Sequence, residues 1–140
     1  MLWRIIYDGS RGKYFEGEGI WAEDQDSGIT FNSDDDTLRW VFGGHLRWWV
    51  RRASPFISTY SSKRVVRKQA EQRVREGKKN VTIYEIDVNA SNMRVEYRNV
   101  RRLADKLGMI IPRYAWHNSK HEWIVLGHIP DRAVRVYHKF

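Results

Sequence analysis

Residues 54–62, Ser-Pro-Phe-Ile-Ser-Thr-Tyr-Ser-Ser, join an apolar strand-like approach to a cluster of hydroxyl groups. Phe56 and Ile57 have the aromatic and β-branched character of a strand, and the hydroxyls fall where that strand gives way to a basic helix. A hydroxyl at such a place can cap the helix or contact a ligand, and capping by Ser61 or Ser62 is the commoner use. We interpret the strand itself as the floor of a binding cleft.

Charged residues also stand in or beside apolar strand patterns. Arg4 lies inside the apolar run of residues 2–7, where a buried guanidinium needs a partner. It either pairs with a carboxylate for structure or faces a cleft and holds an anion, and the pattern leaves both open. Glu85 and Asp87 share one face of a predicted strand and could form a carboxylate pair, but a solvated face or a partner for Arg4 is the favoured interpretation. Glu122 stands at the mouth of another apolar strand.

The elements that must position these residues follow from hydrophobic spacing. Helices are predicted at residues 35–51, interrupted or weakened at the glycine pair 43–44, and at 63–76 and 100–107. Strands are predicted at residues 2–7, 19–22, 56–60, 81–88, 121–126 and 133–137. Turns or loops are predicted at residues 89–92 and 116–120, and a corner at 127–130. We therefore expect one α+β domain over residues 1–140 with a mainly antiparallel or mixed sheet.

No spacing of ligands indicates a metal site. The acidic triplet of residues 34–36 precedes a helix, where negative charge is favourable, so we interpret it as helix N-terminal charge. His117 and His121 are four residues apart, but a predicted strand boundary between them argues against a shared metal.

The composition of the chain limits the kinds of partner that we expect it to bind. The chain has 140 residues, no cysteine and a formal net charge of +8, so it can build a core without disulfides and favours a polyanion or an anionic ligand. The basic residues are concentrated at residues 47–52, 63–79 and 94–106. No apolar run approaches the length of a membrane span and no signal peptide is visible. We expect a soluble protein, either cytoplasmic or secreted.

The order of Arg4, Ser58-Thr59 and Glu122 resembles the Arg, Ser-Thr-Ser, Glu pattern of cholera-toxin-like and pierisin-like ADP-ribosyltransferases. Short motifs extend the resemblance over nearly the whole chain, at residues 2–4, 19–20, 54–59, 81–87 and 122–130. The chain is also similar to a little-characterised fungal domain of the same layout. The resemblance implies a split mixed or antiparallel sheet with flanking helices, and NAD as the substrate.

The resemblance also implies a role for each matching residue. Glu122 would be the catalytic carboxylate that stabilises the positive charge developing on the ribose. Arg4 would hold the phosphate or adenylate side of NAD. Ser58 would brace Glu122 and the nicotinamide ribose. Thr59 would support the strand and would also belong to the residues that bind the dinucleotide. Tyr60 replaces the third hydroxyl of the pattern and offers an aromatic ring near the nicotinamide.

Lys120 stands two residues before Glu122, where the family carries a Gln or Glu that helps to select the acceptor. A lysine there argues against an arginine acceptor. Two functions remain open. The first is a mono-ADP-ribosyltransferase, a toxin or effector that modifies a protein or nucleic acid, which Arg4, Ser58 and Glu122 favour. The second, which Lys120 favours, is a catalytically inactive domain of the same fold that binds nucleic acid or a protein through its basic surface.

Overall fold

A computed structural model describes residues 1–47, 52–90 and 95–140. In these ranges the chain forms four α-helices: α1 (Asp35–Leu46), α2 (Lys63–Arg75), α3 (Val100–Leu107) and α4 (Arg113–Ser119). The same ranges contain nine strands: β1 (Leu2–Ile6), β2 (Tyr14–Phe15), β3 (Gly19–Trp21), β4 (Phe56–Tyr60), β5 (Thr82–Ile86), β6 (Tyr97–Asn99), β7 (Glu122–Leu126), β8 (His128–Pro130) and β9 (Val134–Lys139). Together they confirm the predicted α+β class.

Two antiparallel sheets organise the strands. The main sheet has six strands in the order β6-β7-β4-β1-β5-β9, and a smaller sheet has the order β2-β3-β8. All described pairings are antiparallel, so the antiparallel alternative holds and the mixed one does not. The predicted corner at residues 127–130 is a bend at Gly127 followed by β8, which carries the chain from one sheet to the other. A three-residue strand is too short to show alternation in a sequence.

The main sheet is nearly interrupted between β1 and β4. These strands pair at one position, Trp3 with Tyr60, whereas β1 pairs with β5, and β4 with β7, over five positions each. The Nη1 atom of Arg4 donates to the carbonyl of Ser58 at 2.8 Å. A side chain therefore supplies the contact that a main-chain ladder would otherwise make. The sheet divides into two three-stranded halves, β6-β7-β4 and β1-β5-β9, with a gap between them.

The core covers both faces of the main sheet. Helices α1 and α3 pack on the β4 and β7 half, where Phe42 and Leu103 meet Phe56 and Ile124. Helix α2 packs on the other half through a cluster that includes Val66. The small sheet covers the opposite face, so that β1 is buried on both sides, as its unbroken apolar pattern predicts.

Helix α1 begins where its acids predict, with Asp34 as the N-cap. It continues through residues 43–44 to Leu46, so the predicted interruption at this glycine pair is wrong. The second glycine lets Arg52 lie against the helix, because a Cβ atom there would stand 2.5 Å from the Nη2 atom of that arginine. Residues 48–51 of the predicted helix lie outside the described residues.

The next two predicted helices are confirmed. Ser62 caps α2 by accepting from the backbone N–H of Val65 at 3.2 Å, which is the capping role that the hydroxyl cluster predicts. Gly108 ends α3 in the left-handed conformation, with φ of 64°. Residues 91–94, which include part of the predicted turn after β5, lie outside the described residues. None of the described helices is long and apolar enough to cross a membrane.

The polar loop predicted at residues 116–120 is wrong, because residues 113–119 form helix α4. Two helical turns are too few to show a periodic apolar face in the sequence. The helix is held from outside by Arg101, whose guanidinium stacks on the ring of Trp116 at 3.6 Å. The same side chain donates to the carbonyl of Trp116 and to Ser119 Oγ, both at 2.7 Å. A distant arginine thus satisfies groups at the end of this helix.

Candidate active site

A cavity of about 230 Å³ occupies the gap between β1 and β4. Both strands contribute to its wall, together with α1, α2 and the loop after β1. The polar and aromatic side chains that line the cavity include Arg4, Tyr7, Arg11, His45, Ser54, Ser58, Tyr60 and Gln69. The incomplete pairing of the two strands therefore creates a concave surface that carries three of the residues singled out in the sequence, Arg4, Ser58 and Tyr60.

A chain of hydrogen bonds leads from one wall of the cavity to Glu122, which is not itself among the residues that line the cavity. Ser54 Oγ lies 2.7 Å from Nδ1 of His45, and Nε2 of the same ring lies 2.7 Å from Ser58 Oγ. Ser58 Oγ donates to Glu122 Oε2 at 3.0 Å. Three elements supply these groups: α1 carries the histidine, β4 and its approach carry the serines, and β7 carries the glutamate.

The direction of this chain follows from counting hydrogens. Ser58 has one hydroxyl hydrogen, and it is given to Glu122. Ser58 Oγ must then accept from the ring, which places the histidine proton on Nε2 and leaves Nδ1 to accept from Ser54. Ser54 Oγ in turn accepts from the backbone N–H of Phe56 at 3.1 Å. The hydrogen bonds therefore all run in one direction: Ser54 donates to His45, His45 donates to Ser58, and Ser58 donates to the carboxylate of Glu122.

Burial sets the protonation of the two titratable groups in this chain. Burial raises the pKa of Glu122 to about 7, against the opposing effects of the Ser58 hydrogen bond and the Arg4 charge. Burial, and then the charges of Arg4 and Arg11, lower the pKa of His45 to about 3. The imidazole is therefore neutral at physiological pH, while the carboxyl group titrates there. A neutral histidine held in one tautomer positions Ser58, and the glutamate is the group able to exchange a proton.

Arg4 lies beside this chain of hydrogen bonds and has no carboxylate partner in the described part of the protein. Its guanidinium donates to the backbone carbonyls of Ser58, Arg11 and Gly12. Its Nε atom is buried and has no hydrogen-bond partner. Burial lowers the pKa of Arg4 to about 10, with the largest opposing effect from Tyr60, so the side chain stays charged at neutral pH. A buried charged donor without an acceptor suits an anionic or strongly polar ligand.

Glu85 is not the partner of Arg4 that the strand pattern suggests. Its carboxylate accepts from the indole Nε1 of Trp3 at 3.1 Å and from Nε of Arg135 at 2.6 Å. These two hydrogen bonds join β1, β5 and β9, the three strands of one half of the main sheet. Because Glu85 is buried, the solvated-face alternative is wrong for this residue. Asp87 lies beyond the end of β5, where its carboxylate accepts from the backbone N–H of Asn89.

The remaining predicted residues divide between the cavity and other surroundings. Tyr60 lines the cavity, and burial followed by the Glu122 charge raises the pKa of its hydroxyl. Thr59 does not reach the cavity, because it is fully buried and its hydroxyl donates to the carbonyl of Trp123 at 2.6 Å. Lys120 also lies away from the cavity and lines a separate groove between α2 and α4.

His45 is the residue that sequence reasoning missed as part of a site. It follows the buried Leu38 and Phe42 at helical spacing, and the pattern assigns it to the apolar face of α1. A polar ring on such a face was the one available indication. Its partner could not be inferred, because Ser58 approaches it only when α1 packs against β4.

The arrangement of these groups favours a reaction in which the carboxylate of Glu122 takes part over a reaction in which Ser58 is the nucleophile. His45 would be a poor base for Ser58, since its pKa lies near 3 and Ser54, not a carboxylate, holds its other nitrogen. Glu122 has a pKa near neutrality, a fixed hydroxyl partner and a neighbouring cation. Among the described residues, no group of three His, Cys, Asp or Glu side chains could hold a metal ion.

The chain was compared with known protein families, curated proteins and solved structures. A family model described as "Domain of unknown function (DUF7587)" matches residues 1–138. No curated protein and no solved structure matches the chain.

Proposed function

The chain belongs to the DUF7587 family, whose function is unknown, and we propose that it is a mono-ADP-ribosyltransferase that transfers ADP-ribose from NAD to a macromolecular acceptor. The observation that carries the proposal is the hydrogen bond from Ser58 Oγ to Glu122 Oε2, 3.0 Å long, at the split between β1 and β4. It links two parts of the Arg, Ser, Glu pattern that are 64 residues apart in the chain. The third part, Arg4, bonds the carbonyl of Ser58.

Glu122 is the residue that the proposed reaction needs most. When the C1′–N bond of NAD breaks, its electron pair leaves with nicotinamide and positive charge develops on the ribose. A carboxylate held beside the ribose stabilises that charge. The lone pair of the acceptor forms the new bond to C1′, and the proton that the acceptor loses passes to the carboxylate. A pKa of about 7 suits this exchange at neutral pH.

The cavity also fits part of a dinucleotide. Arg4 lines the cavity and stays charged at neutral pH, so it supplies a cation for a phosphate oxygen. Tyr60 supplies an aromatic surface in the wall, and Arg11 adds a second cation. About 230 Å³ is small for a whole dinucleotide, so the adenylate end would extend past Tyr7 along the open rim.

The test is incubation of the purified chain with labelled NAD, alone and with cell lysate, DNA or RNA. We expect nicotinamide release or label transfer by the wild type and at least a 100-fold loss in Glu122→Gln. The matched control is Glu16→Gln, which removes an exposed carboxylate near β2 and should keep wild-type activity. The rate should rise with pH around an apparent pKa near 7, because the ionised carboxylate is the active form.

Two results would contradict the proposal. One is turnover that survives unchanged in Glu122→Gln. The other is a folded wild-type chain that neither binds NAD nor releases nicotinamide in any of these mixtures. The second result would favour a catalytically inactive domain that acts by binding alone.

A further inference from the structure

A second concave surface lies on the outside of the domain, between α2 and α4. We call it the α2–α4 groove. It encloses about 770 Å³ and is lined by about three turns of α2 together with the end of α4 and the residues that lead into β7. Its charged and ring-bearing lining residues are Arg64, Lys68, Glu71, Arg75, His117, Lys120 and His121.

The positive charge of the groove is not neutralised within the described part of the protein. Arg64, Lys68, Arg75 and Lys120 are exposed, and none of them makes an ion pair there. The acid in the lining, Glu71, is already paired with a fifth cation, Arg67 Nε, at 3.6 Å. Four cations therefore face solvent without a partner in a concave surface, where their fields add.

The spacing of these cations suits a linear polyanion. Arg64, Lys68 and Arg75 lie along one side of α2, and the twelve residues from the first to the last span about 16 Å of helix. The phosphates of a strand stacked as in a duplex repeat every roughly 3.4 Å along its axis, so this row spans about five phosphates of a strand in that conformation. The rings of His117 and His121 stand in the same lining and offer surfaces on which bases can stack. An acidic peptide would use the charges but not the rings.

The groove reaches the candidate active site. Gln69 lines both the groove and the cavity that contains Arg4. At the other end, Lys120 precedes the start of β7 by two residues, and β7 begins with Glu122. The backbone N–H of Ser61 donates to the carbonyl of His121 at 2.8 Å, which ties the two walls together beside the cavity. A strand lying in the groove would therefore pass next to the rim of the cavity.

We propose that the α2–α4 groove binds the phosphate backbone of a single-stranded nucleic acid. The strand binds across the four unpaired cations, with its bases toward the two histidine rings. That this strand is also the acceptor of the transfer reaction rests on the proposed function. The binding itself does not, so it is tested without NAD.

The experiment is fluorescence anisotropy with labelled 12-nucleotide single strands of DNA and RNA, at several salt concentrations. Four phosphate contacts on a single strand predict a slope of log K against log[salt] of about −3. The test variant is Arg64→Glu with Lys68→Glu, which should weaken binding at least 10-fold and reduce the slope to about −1.5. Lys120→Glu alone, which leaves α2 intact, should weaken binding several-fold and reduce the slope by about 0.7.

A matched control is available on α3. Arg102→Glu with Lys106→Glu changes two exposed cations at the same i, i+4 spacing and lowers the net charge equally, but lies outside the groove. This control should bind within twofold of the wild type. Equal weakening by both double variants would overturn the proposal, because binding would then follow net charge. Displacement of the labelled strand by polyglutamate at equal charge concentration would also overturn it and assign the groove to an acidic protein.

The two proposals fail in different ways. Glu122→Gln should bind the strands as tightly as the wild type does, because its carboxylate lies outside the groove lining. Strand binding without any NAD turnover would support the groove and contradict the transferase. Transfer to protein, with no single-strand binding, would support the transferase and overturn the groove.

Discussion

The carboxylate of Glu122 should destabilise the fold at neutral and alkaline pH. Burial raises its pKa from an ordinary 4.5 to about 7, so between these values the folded chain holds a proton that the unfolded chain has released. The free energy of unfolding therefore falls as the pH rises through this window. Between pH 5 and pH 8 the fall is about 2.5 kcal/mol for this one group. Glu122→Gln keeps the shape and the hydrogen-bonding capacity but cannot ionise.

The expected result is a variant that gains stability relative to the wild type as the pH rises, by about 2.5 kcal/mol from pH 5 to pH 8. Reversible urea unfolding at four pH values, followed by fluorescence of the seven tryptophans, measures this difference. His45 has the opposite dependence, because its folded pKa of about 3 lies below the ordinary 6.5 and stability is lost as the pH falls below 6.5. That contribution is present in both proteins and cancels in the difference.

Glu16→Gln is the control for the loss of one carboxylate charge, because it removes an exposed carboxylate outside the cavity. A pH-independent difference between Glu122→Gln and the wild type would refute the reasoning. It would mean that Glu122 titrates near its ordinary value, and that the carboxylate is solvated and not enclosed with Ser58.

Two further predictions concern the scaffold. Gly19→Ala should lower the free energy of unfolding by at least about 3 kcal/mol, because its Cβ would stand 1.9 Å from the carbonyl of Ile129 in β8. Gly17→Ala, in the same hairpin and with open space around it, should lose only about 1 kcal/mol from its positive φ, and urea unfolding of both variants tests the contrast. Glu85→Ala should cost about 2 to 3 kcal/mol by the same assay, since it leaves the indole N–H of Trp3 without its acceptor. An unchanged midpoint would show that this hydrogen bond adds nothing.

The sequence predicts the longer elements of the fold well. The apolar face of α3 and its terminal Gly108, the Ser62 cap of α2 and the two-sided burial of β1 follow from local patterns and are all present. The pattern fails where structure depends on distant partners. Helix α4 depends on Arg101, and β8 exists because the small sheet pairs it with β3.

The same distinction applies to the candidate site. Ser58 and Glu122 were identified by residue type and order in the chain, and the structure brings them together. His45 was missed because α1 packing, not local spacing, brings its ring to Ser58. Thr59 was assigned to the dinucleotide, but neighbouring residues on a strand point to opposite faces and its hydroxyl is taken by β7.

The split between β1 and β4 gives the domain a seam. The two halves of the main sheet are joined there by one residue pair and by the bonds of Arg4, so this is where least hydrogen bonding must break for the halves to shear. The cavity occupies the same seam. A molecule bound there would link the two halves of the sheet, because it would contact Arg4 in the β1-β5-β9 half and Ser58 in the β6-β7-β4 half. Occupancy and rigidity would then rise together, and slowed amide exchange in β1 and β4 would report binding before any chemistry occurs.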